Sequence, residues 1–196
     1  MNNKEVRHIP HAVEVRDDGS EEMVVEGYAI RFNSWSENLG GFKESIDKRA
    51  LDNTSLDDVR ALIDHDSSQV IGRSSNDTLK LNVDDEGLRF SLTLPNTTYA
   101  RDLYENIRVG NVDNCSFGFT IPKGGDVIEY DKKENIRKRV VKAIDRLAEI
   151  SVVSFPAYRD TDVSVAKRSI EQQDKIDERL NELKTDSRLI KLKYNL

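Results

Sequence analysis

A serine and a histidine are the residues of this sequence best placed for nucleophilic chemistry. Ser116 lies in the segment 114–121, where apolar residues alternate with small or polar ones. Strand side chains alternate between two faces, so this pattern predicts that Ser116 faces away from the packed side. The same period, if residues 59–65 are extended, places His65 at the end of an apolar row formed by Val59, Ala61 and Ile63.

The chemistry suggested by this pair is attack by a serine hydroxyl. Such a hydroxyl needs a base, and the unperturbed imidazole titrates near neutrality. His65 is the plausible base, because His8 and His11 lie in a polar N-terminal segment that we expect to be loosely ordered. A third group usually orients the imidazole. Glu149 interrupts the apolar run 147–153, where a carboxylate needs a partner, whereas Asp66 would point to the opposite face of an extended segment.

Each of these residues also has a purely structural interpretation. Ser116 can be a small residue on the wet face of an amphipathic strand, and His65, between two aspartates, can be a surface turn residue. Glu149 can form a structural ion pair with one of three arginines: Arg137, Arg139 or Arg146. Ser151 and Ser154 are alternative hydroxyls.

A thiol nucleophile and an α/β-hydrolase are less favoured. Cys115 shares its predicted face with two phenylalanines, which favours a buried structural cysteine. Residues 114–118 lack the first glycine of a G-x-S-x-G elbow.

Composition limits the remaining classes of function. At 196 residues the chain can form one domain with an appendage. A net charge of −6 with 34% charged residues favours a soluble protein and argues against a nucleic-acid partner. We see neither a signal peptide nor the ~18 apolar residues of a membrane span, so we expect an intracellular protein without a membrane partner. One cysteine and three histidines predict no internal disulfide and no structural metal site. We also expect no cofactor.

Residues 1–166 read as a mainly β domain with flanking helices. Strand patterns occupy 23–32 and 140–155, and the runs 79–83 and 88–94 predict a hairpin around the turn residues 84–87. A helix is expected from Thr97 or Thr98 to Gly110, with Leu103 and Ile107 on one face, and a second short helix over 42–51. Residues 123–138 predict an exposed hairpin tip or mobile loop.

Residues 167–196 read as a separate, charged helical tail. It carries eight basic and six acidic residues, a net charge of +2. A weak coiled-coil seam is interrupted by Gln173 and Ser187 and consists of Ile176, Leu180, Leu183, Ile190 and Tyr194. A solvated helix laid against its own domain and a partner-binding helix both fit this pattern.

Five segments in order carry a family resemblance. They are 26–32 (EGYAIRF), 64–66 (DHD) followed by Ile71-Gly72, 85–88 (DEGL), 116–119 (SFGF) and 149–158 (EISVVSFPAY). Together they resemble the prohead proteases of tailed bacteriophages, which cut scaffold and capsid protein during shell maturation. Those proteases look similar in fold to herpesvirus assemblins, so the resemblance implies a closed β-barrel ringed by helices, with the serine and histidine on barrel strands.

The resemblance also implies roles and partners. It makes Ser116 the nucleophile and His65 the base. Assemblins use a second histidine; beyond His8 and His11 of the polar N-terminal segment this sequence has none to offer, so Glu149 takes the third role. The implied function is a serine endopeptidase that cleaves scaffold and capsid protein, and also itself, inside the immature capsid in the host cytoplasm. The major capsid protein and scaffold segment would be substrates, and a homodimer is one open arrangement. The alternative is a non-catalytic capsid-assembly module that binds scaffold.

Overall fold

The computed structural model describes residues 4–16, 19, 22–155 and 164–194. Residues 156–158, the end of the last matched segment, lie outside that range. Twelve strands and two α-helices are formed by the described residues, and a 3-10 turn spans Ser74–Asn76. The elements are β1 (Glu5–Ile9), β2 (Val13–Val15), β3 (Val24–Arg31), β4 (Phe42–Ile46), β5 (Arg60–Ile63), β6 (Asp66–Arg73), β7 (Leu79–Val83), β8 (Gly87–Thr93), α1 (Thr98–Arg108), β9 (Asn114–Thr120), β10 (Asp126–Asp131), β11 (Ile136–Val141), β12 (Arg146–Val153) and α2 (Ser164–Tyr194).

The strands form three separate sheets. The first has the order β1-β9-β12-β5-β6, the second β2-β3-β8-β7 and the third β10-β11-β4. None of these sheets closes on itself within the described residues, so the expectation of a closed β-barrel is wrong. The fold remains mainly β with flanking helices. In the five-stranded sheet β1 and β6 are the edges, and β9 and β12 lie inside it, antiparallel to each other.

One hydrophobic core joins the five-stranded sheet, the four-stranded sheet and α1. Phe117 and Ile150 from the first sheet, Phe90 and Leu92 from the second, and Leu103 from the helix belong to the same buried cluster. A shift of β9 or β12 by one residue would turn every side chain of that strand to the other face of the sheet. The burial of Phe117 and Ile150 in this core therefore fixes the register of the two strands.

A buried ion network anchors the N-terminal strand, which we expected to be loosely ordered. Glu5 and Arg7 of β1 are buried, together with Glu44 and Arg139. Arg139 donates to Glu5 Oε2 at 2.6 Å and to Glu44 Oε2 at 2.7 Å, and Arg7 donates to Glu44 Oε1 at 2.7 Å. This satisfies charges that would otherwise be costly to bury, and it ties β1 to β4 and β11.

The same network explains why residues 42–51 do not form the expected helix. Phe42 and Ile46 are buried, a spacing that fits a helix as well as a strand. Glu44 between them also points inward, because Arg7 and Arg139 neutralise it. Residues 42–46 therefore form β4, which pairs in parallel with β11. The strand was not predicted because a charged residue, Glu44, occupies one of its inward-facing positions.

Elements with clear local signals form as predicted. β7 and β8 make the hairpin, with Val83 opposite Leu88. α1 begins after Thr97 and buries Leu103 and Ile107. β10 and β11 form a further hairpin, whose turn lies in the polar region 123–138.

The C-terminal helix begins at Ser164 and packs its first turns on the body. Ala166 and Ile170 are buried with Leu39 and Phe42, and Arg137 of β11 donates to Asp177 at 2.9 Å. Ile176, Leu180 and Leu183 of the seam are each about half exposed. The side chains of Ile190 and Tyr194 lie outside the described part of the chain. Neither described helix is long and apolar enough to cross a membrane.

Candidate active site

A buried carboxylate lies at the centre of the candidate site. Glu149 is on β12, opposite Gly118 of β9, next to a register shift between Leu147 and Glu149. Its side chain is 5% exposed. The three arginines considered from the sequence are not its partners: Arg139, for example, belongs to the ion network on β11. The described contacts of Glu149 are with a histidine, a lysine and a serine.

His65 reaches Glu149 from a tight turn and not from an extended strand. Asp64 and His65 connect β5 to β6 with φ values of 46° and 61°, as in the two-residue turns of β-hairpins. This left-handed backbone costs roughly 1–3 kcal/mol per non-glycine residue, so the surroundings must hold it. The Asp64 carboxylate does so by accepting hydrogen bonds from the Ser154 amide at 2.8 Å and the Ser154 hydroxyl at 3.1 Å.

The His65–Glu149 pair has the orientation required of a base and its carboxylate. His65 Nδ1 lies 2.9 Å from Glu149 Oε1. Burial opposes ionisation of Glu149, but the hydrogen bond from His65, the imidazolium charge and the Lys4 ammonium outweigh it and lower the pKa of Glu149 below its ordinary 4.5. A carboxylate only accepts, so in the neutral imidazole Nδ1 carries the proton and Nε2 presents its lone pair. Nε2 is buried and has no hydrogen-bond partner among the described residues.

Ser116 is on the neighbouring strand and shares a face with Glu149. In the register of β9 and β12, Ser116 lies opposite Ser151, and Gly118 opposite Glu149. Alternation along β9 turns Ser116 away from the Phe117 core, as predicted, but the second face is covered too, and Ser116 is only 1% exposed. Its Oγ donates to the carbonyl oxygen of Arg7 at 2.8 Å. The hydroxyl is therefore not hydrogen-bonded to His65 in this conformation.

Ser151 and Lys4 complete the surroundings of Glu149. The Ser151 hydroxyl donates to Oε2 at 2.7 Å, which leaves Oε1 to the histidine. Lys4 Nζ lies 2.9 Å from that same Oε1. Gly118 makes room for both groups: a Cβ there would lie 2.1 Å from Lys4 Cε and 2.5 Å from Glu149 Oε1. A larger residue at position 118 would therefore force the Lys4 and Glu149 side chains to move.

The other candidates considered from the sequence occupy different places. Cys115 is fully buried in the core, and burial, reinforced by Glu149, raises the pKa of its thiol far above the usual range. Asp66 is exposed and accepts hydrogen bonds from Ser68 and Gln69. Ser154 supports the His65 turn. Among the residues that the structure describes, no cluster of His, Cys, Asp or Glu is arranged to hold a metal ion.

Comparison with known proteins identifies the family of this chain. The sequence profile of the caudovirus prohead serine proteases matches residues 11–176, most of the chain. The chain belongs to this family. It is therefore a serine protease of phage prohead assembly. Among solved structures, that of the bacteriophage T4 capsid assembly protease gp21 is similar at a TM-score of 0.40 and 12% identity, covering 76% of this chain and 98% of that one. A search of curated proteins found no significant match.

Two features of this prohead protease were missed from the sequence. Lys4 precedes β1, outside the region matched by the family, and nothing in the polar segment 1–8 distinguishes it. Ser151 was considered only as an alternative hydroxyl, although its spacing of two residues from Glu149 on a strand puts both side chains on one face. That spacing is the signal that could have identified it as a partner of the carboxylate.

Proposed function

We propose that this prohead protease cleaves scaffold and capsid protein inside the procapsid through an acyl-enzyme on Ser116, with His65 as base and Glu149 as the orienting carboxylate. The observation that carries the proposal is the His65–Glu149 hydrogen bond of 2.9 Å, with Nε2 buried and unpaired among the described residues. Ser116 lies one strand away on the same face of the sheet. A histidine with an anchored Nδ1 and an available Nε2 is what a serine nucleophile requires.

The proposed mechanism begins with a change of partner by Ser116. Its hydroxyl leaves the Arg7 carbonyl and rotates to donate to His65 Nε2; catalytic hydrogen bonds are often loose before substrate binds. As Oγ attacks the peptide carbonyl carbon, its proton passes to Nε2. The imidazolium that forms is stabilised by the ionised Glu149. His65 then protonates the leaving amine, and a water activated by the same nitrogen hydrolyses the ester.

Ser151 supports this mechanism without being the nucleophile. Its hydroxyl proton is directed at Glu149 Oε2 and not at His65. This hydrogen bond fixes the rotation of the carboxylate, so that Oε1 remains aligned with Nδ1. A carboxylate held by two donors stays ionised in a buried site.

The substrates are proposed from the family. A prohead protease acts where scaffold and capsid protein are assembled, so both are the expected substrates, and cleavage of its own chain is a further proposal. The competing interpretation, a non-catalytic scaffold-binding module, leaves without a role both the His65–Glu149 pair and an Nε2 that no described residue contacts by a hydrogen bond.

The test is co-expression with the major capsid protein, followed by intact-mass spectrometry of both chains. Wild-type protease should shorten the capsid protein, whereas Ser116→Ala should leave it at full length. The matched control is Ser91→Ala, which removes another strand hydroxyl, one bonded to Glu26. Cleavage by Ser116→Ala at the wild-type rate would overturn the proposal.

A further inference from the structure

A lysine from outside the region matched by the family contacts the proposed catalytic carboxylate. Lys4 precedes β1, and its side chain, 30% exposed, crosses Gly118 to place Nζ 2.9 Å from Glu149 Oε1. His65 Nδ1 lies 2.9 Å from the same oxygen. One carboxylate oxygen is thus shared by an ammonium and by the imidazole. The family match begins at residue 11, so Lys4 lies outside the matched region.

The position of Lys4 is fixed by the contacts of its β1 neighbours Glu5 and Arg7, whose side chains lie on the opposite face. Glu5 and Arg7 turn into the buried ion network, where Arg139 and Glu44 hold them. Because side chains alternate along a strand, Lys4 is directed to the other face, toward Glu149. The network therefore holds β1 in a register that delivers the ammonium to the site.

Besides His65, the charged group that has a described contact with Glu149 is Lys4. Other titratable or charged groups near the pair are His8, which lies opposite Ser116, and Arg60, which lies opposite Glu149 in the β5 register. Arg60 pairs with Asp58, Asp64 is held by Ser154, and Asp66 is exposed and bonded to Ser68.

We propose that Lys4 is a positioning residue of this protease, acting through Glu149 to keep His65 unprotonated at the pH at which the enzyme works. The inference rests on the proposed roles of His65 and Glu149. An ammonium on Oε1 offsets the negative charge that would otherwise stabilise a ground-state imidazolium. Without it, His65 would stay protonated over a wider pH range and could accept a proton from Ser116 only above that range.

The size of the effect follows from the geometry. Lys4 Nζ and His65 Nδ1 each lie 2.9 Å from Glu149 Oε1, so the distance between these two nitrogens is at most the sum of the two contacts. At that distance like charges near a protein surface interact strongly. Solvent screening reduces the effect, because Lys4 is partly exposed. The expected displacement of the acid limb of the pH–rate profile is about one pH unit.

The experiment measures the pH dependence of serine labelling by a fluorophosphonate, a probe without a titrating group, in full-length protein. Lys4→Met should move the acid limb upward by about one pH unit and leave the alkaline plateau no lower than that of the wild type. Lys4→Arg keeps the positive charge, so its acid limb should lie at the pH of the wild-type limb. The matched control is Lys142→Met, which removes an ammonium paired with Asp47 on the surface and should leave the profile unchanged.

Two results would overturn the inference. A limb that does not move in Lys4→Met would show that the ammonium has no effect on His65. An equal loss at every pH, not rescued by arginine, would show that Lys4 only supports the fold. Failure of the proposed function is distinguished by Ser116→Ala: if that variant is still labelled at the wild-type rate, the site itself is misassigned.

Discussion

Replacing Glu149 with glutamine removes one charge from the site and nearly preserves its shape. The carboxylate accepts from His65 Nδ1 at 2.9 Å and from the Ser151 hydroxyl at 2.7 Å. A glutamine carbonyl can still accept one of these hydrogen bonds. What it cannot supply is the negative charge that stabilises the imidazolium while Ser116 attacks.

The magnitude of the loss follows from Coulomb's law. A carboxylate and an imidazolium about 4 Å apart interact by roughly 4 kcal/mol at an effective dielectric constant of about 20. That corresponds to a rate factor of about 10³. The Lys4 ammonium on the same oxygen already offsets part of this interaction. We therefore expect Glu149→Gln to lower the cleavage rate by about 10²–10³-fold, less than the loss in His65→Ala, which has no base.

The assay is single-turnover cleavage of capsid protein with excess protease. Glu134→Gln is the matched control, because it removes an exposed carboxylate that pairs with Lys43 and Lys138. Thermal unfolding should show both variants folded, since Lys4 can turn its ammonium into solvent once Glu149 is neutral. A Glu149→Gln enzyme within about threefold of the wild-type rate would refute the assignment of the third role, and a loss in Glu134→Gln of similar size would refute its specificity.

Two further predictions concern the stability of the fold. Arg139→Met leaves buried Glu5 and Glu44 with Arg7 alone of the two arginines that pair with them. The unfolding free energy should therefore fall by about 3–5 kcal/mol and the melting temperature by roughly 10 °C. Exposed Arg179→Met should change the free energy by less than about 1 kcal/mol, and equal melting temperatures of the two variants would contradict the role of the network. Arg7 and Arg139 lower the pKa of Glu44 despite its burial, and the pKa of Glu149 is lowered as well, both from an ordinary 4.5. The unfolded chain therefore binds protons at Glu44 and Glu149 more readily than the folded chain does. The stabilisation from these two carboxylates should be fully present above pH 4.5 and be lost as the pH falls through their lower folded-state pKa values. A urea midpoint that stays constant from about pH 6 to pH 3 would contradict this.

Local patterns predicted the parts of the fold that depend on local interactions. The hairpin of β7 and β8 and the helix α1 follow from alternation, turn residues and the helical spacing of Leu103 and Ile107. The expected barrel was wrong because closure depends on how edge strands pair, which the sequence does not encode locally. The strand β4 was missed because Glu44 points inward, and its partners Arg7 and Arg139 are far away in the sequence.

The candidate site was predictable in its members and less so in its geometry. Glu149 was noticed because a carboxylate inside an apolar run needs a partner, and His65 is that partner. The left-handed turn at Asp64 and His65 was not foreseen, since neither residue is glycine. Lys4 could not be found by pattern, because its contact depends on the register of β1 against β9 and on the space above Gly118.

The most direct test of the central claim is identification of the serine that reacts. Full-length protein is labelled with a fluorophosphonate, digested, and mapped by tandem mass spectrometry. The proposed site predicts a single adduct on Ser116, absent from Ser116→Ala and greatly slowed in His65→Ala. An adduct on Ser151, or equal labelling of Ser116 with and without His65, would contradict it.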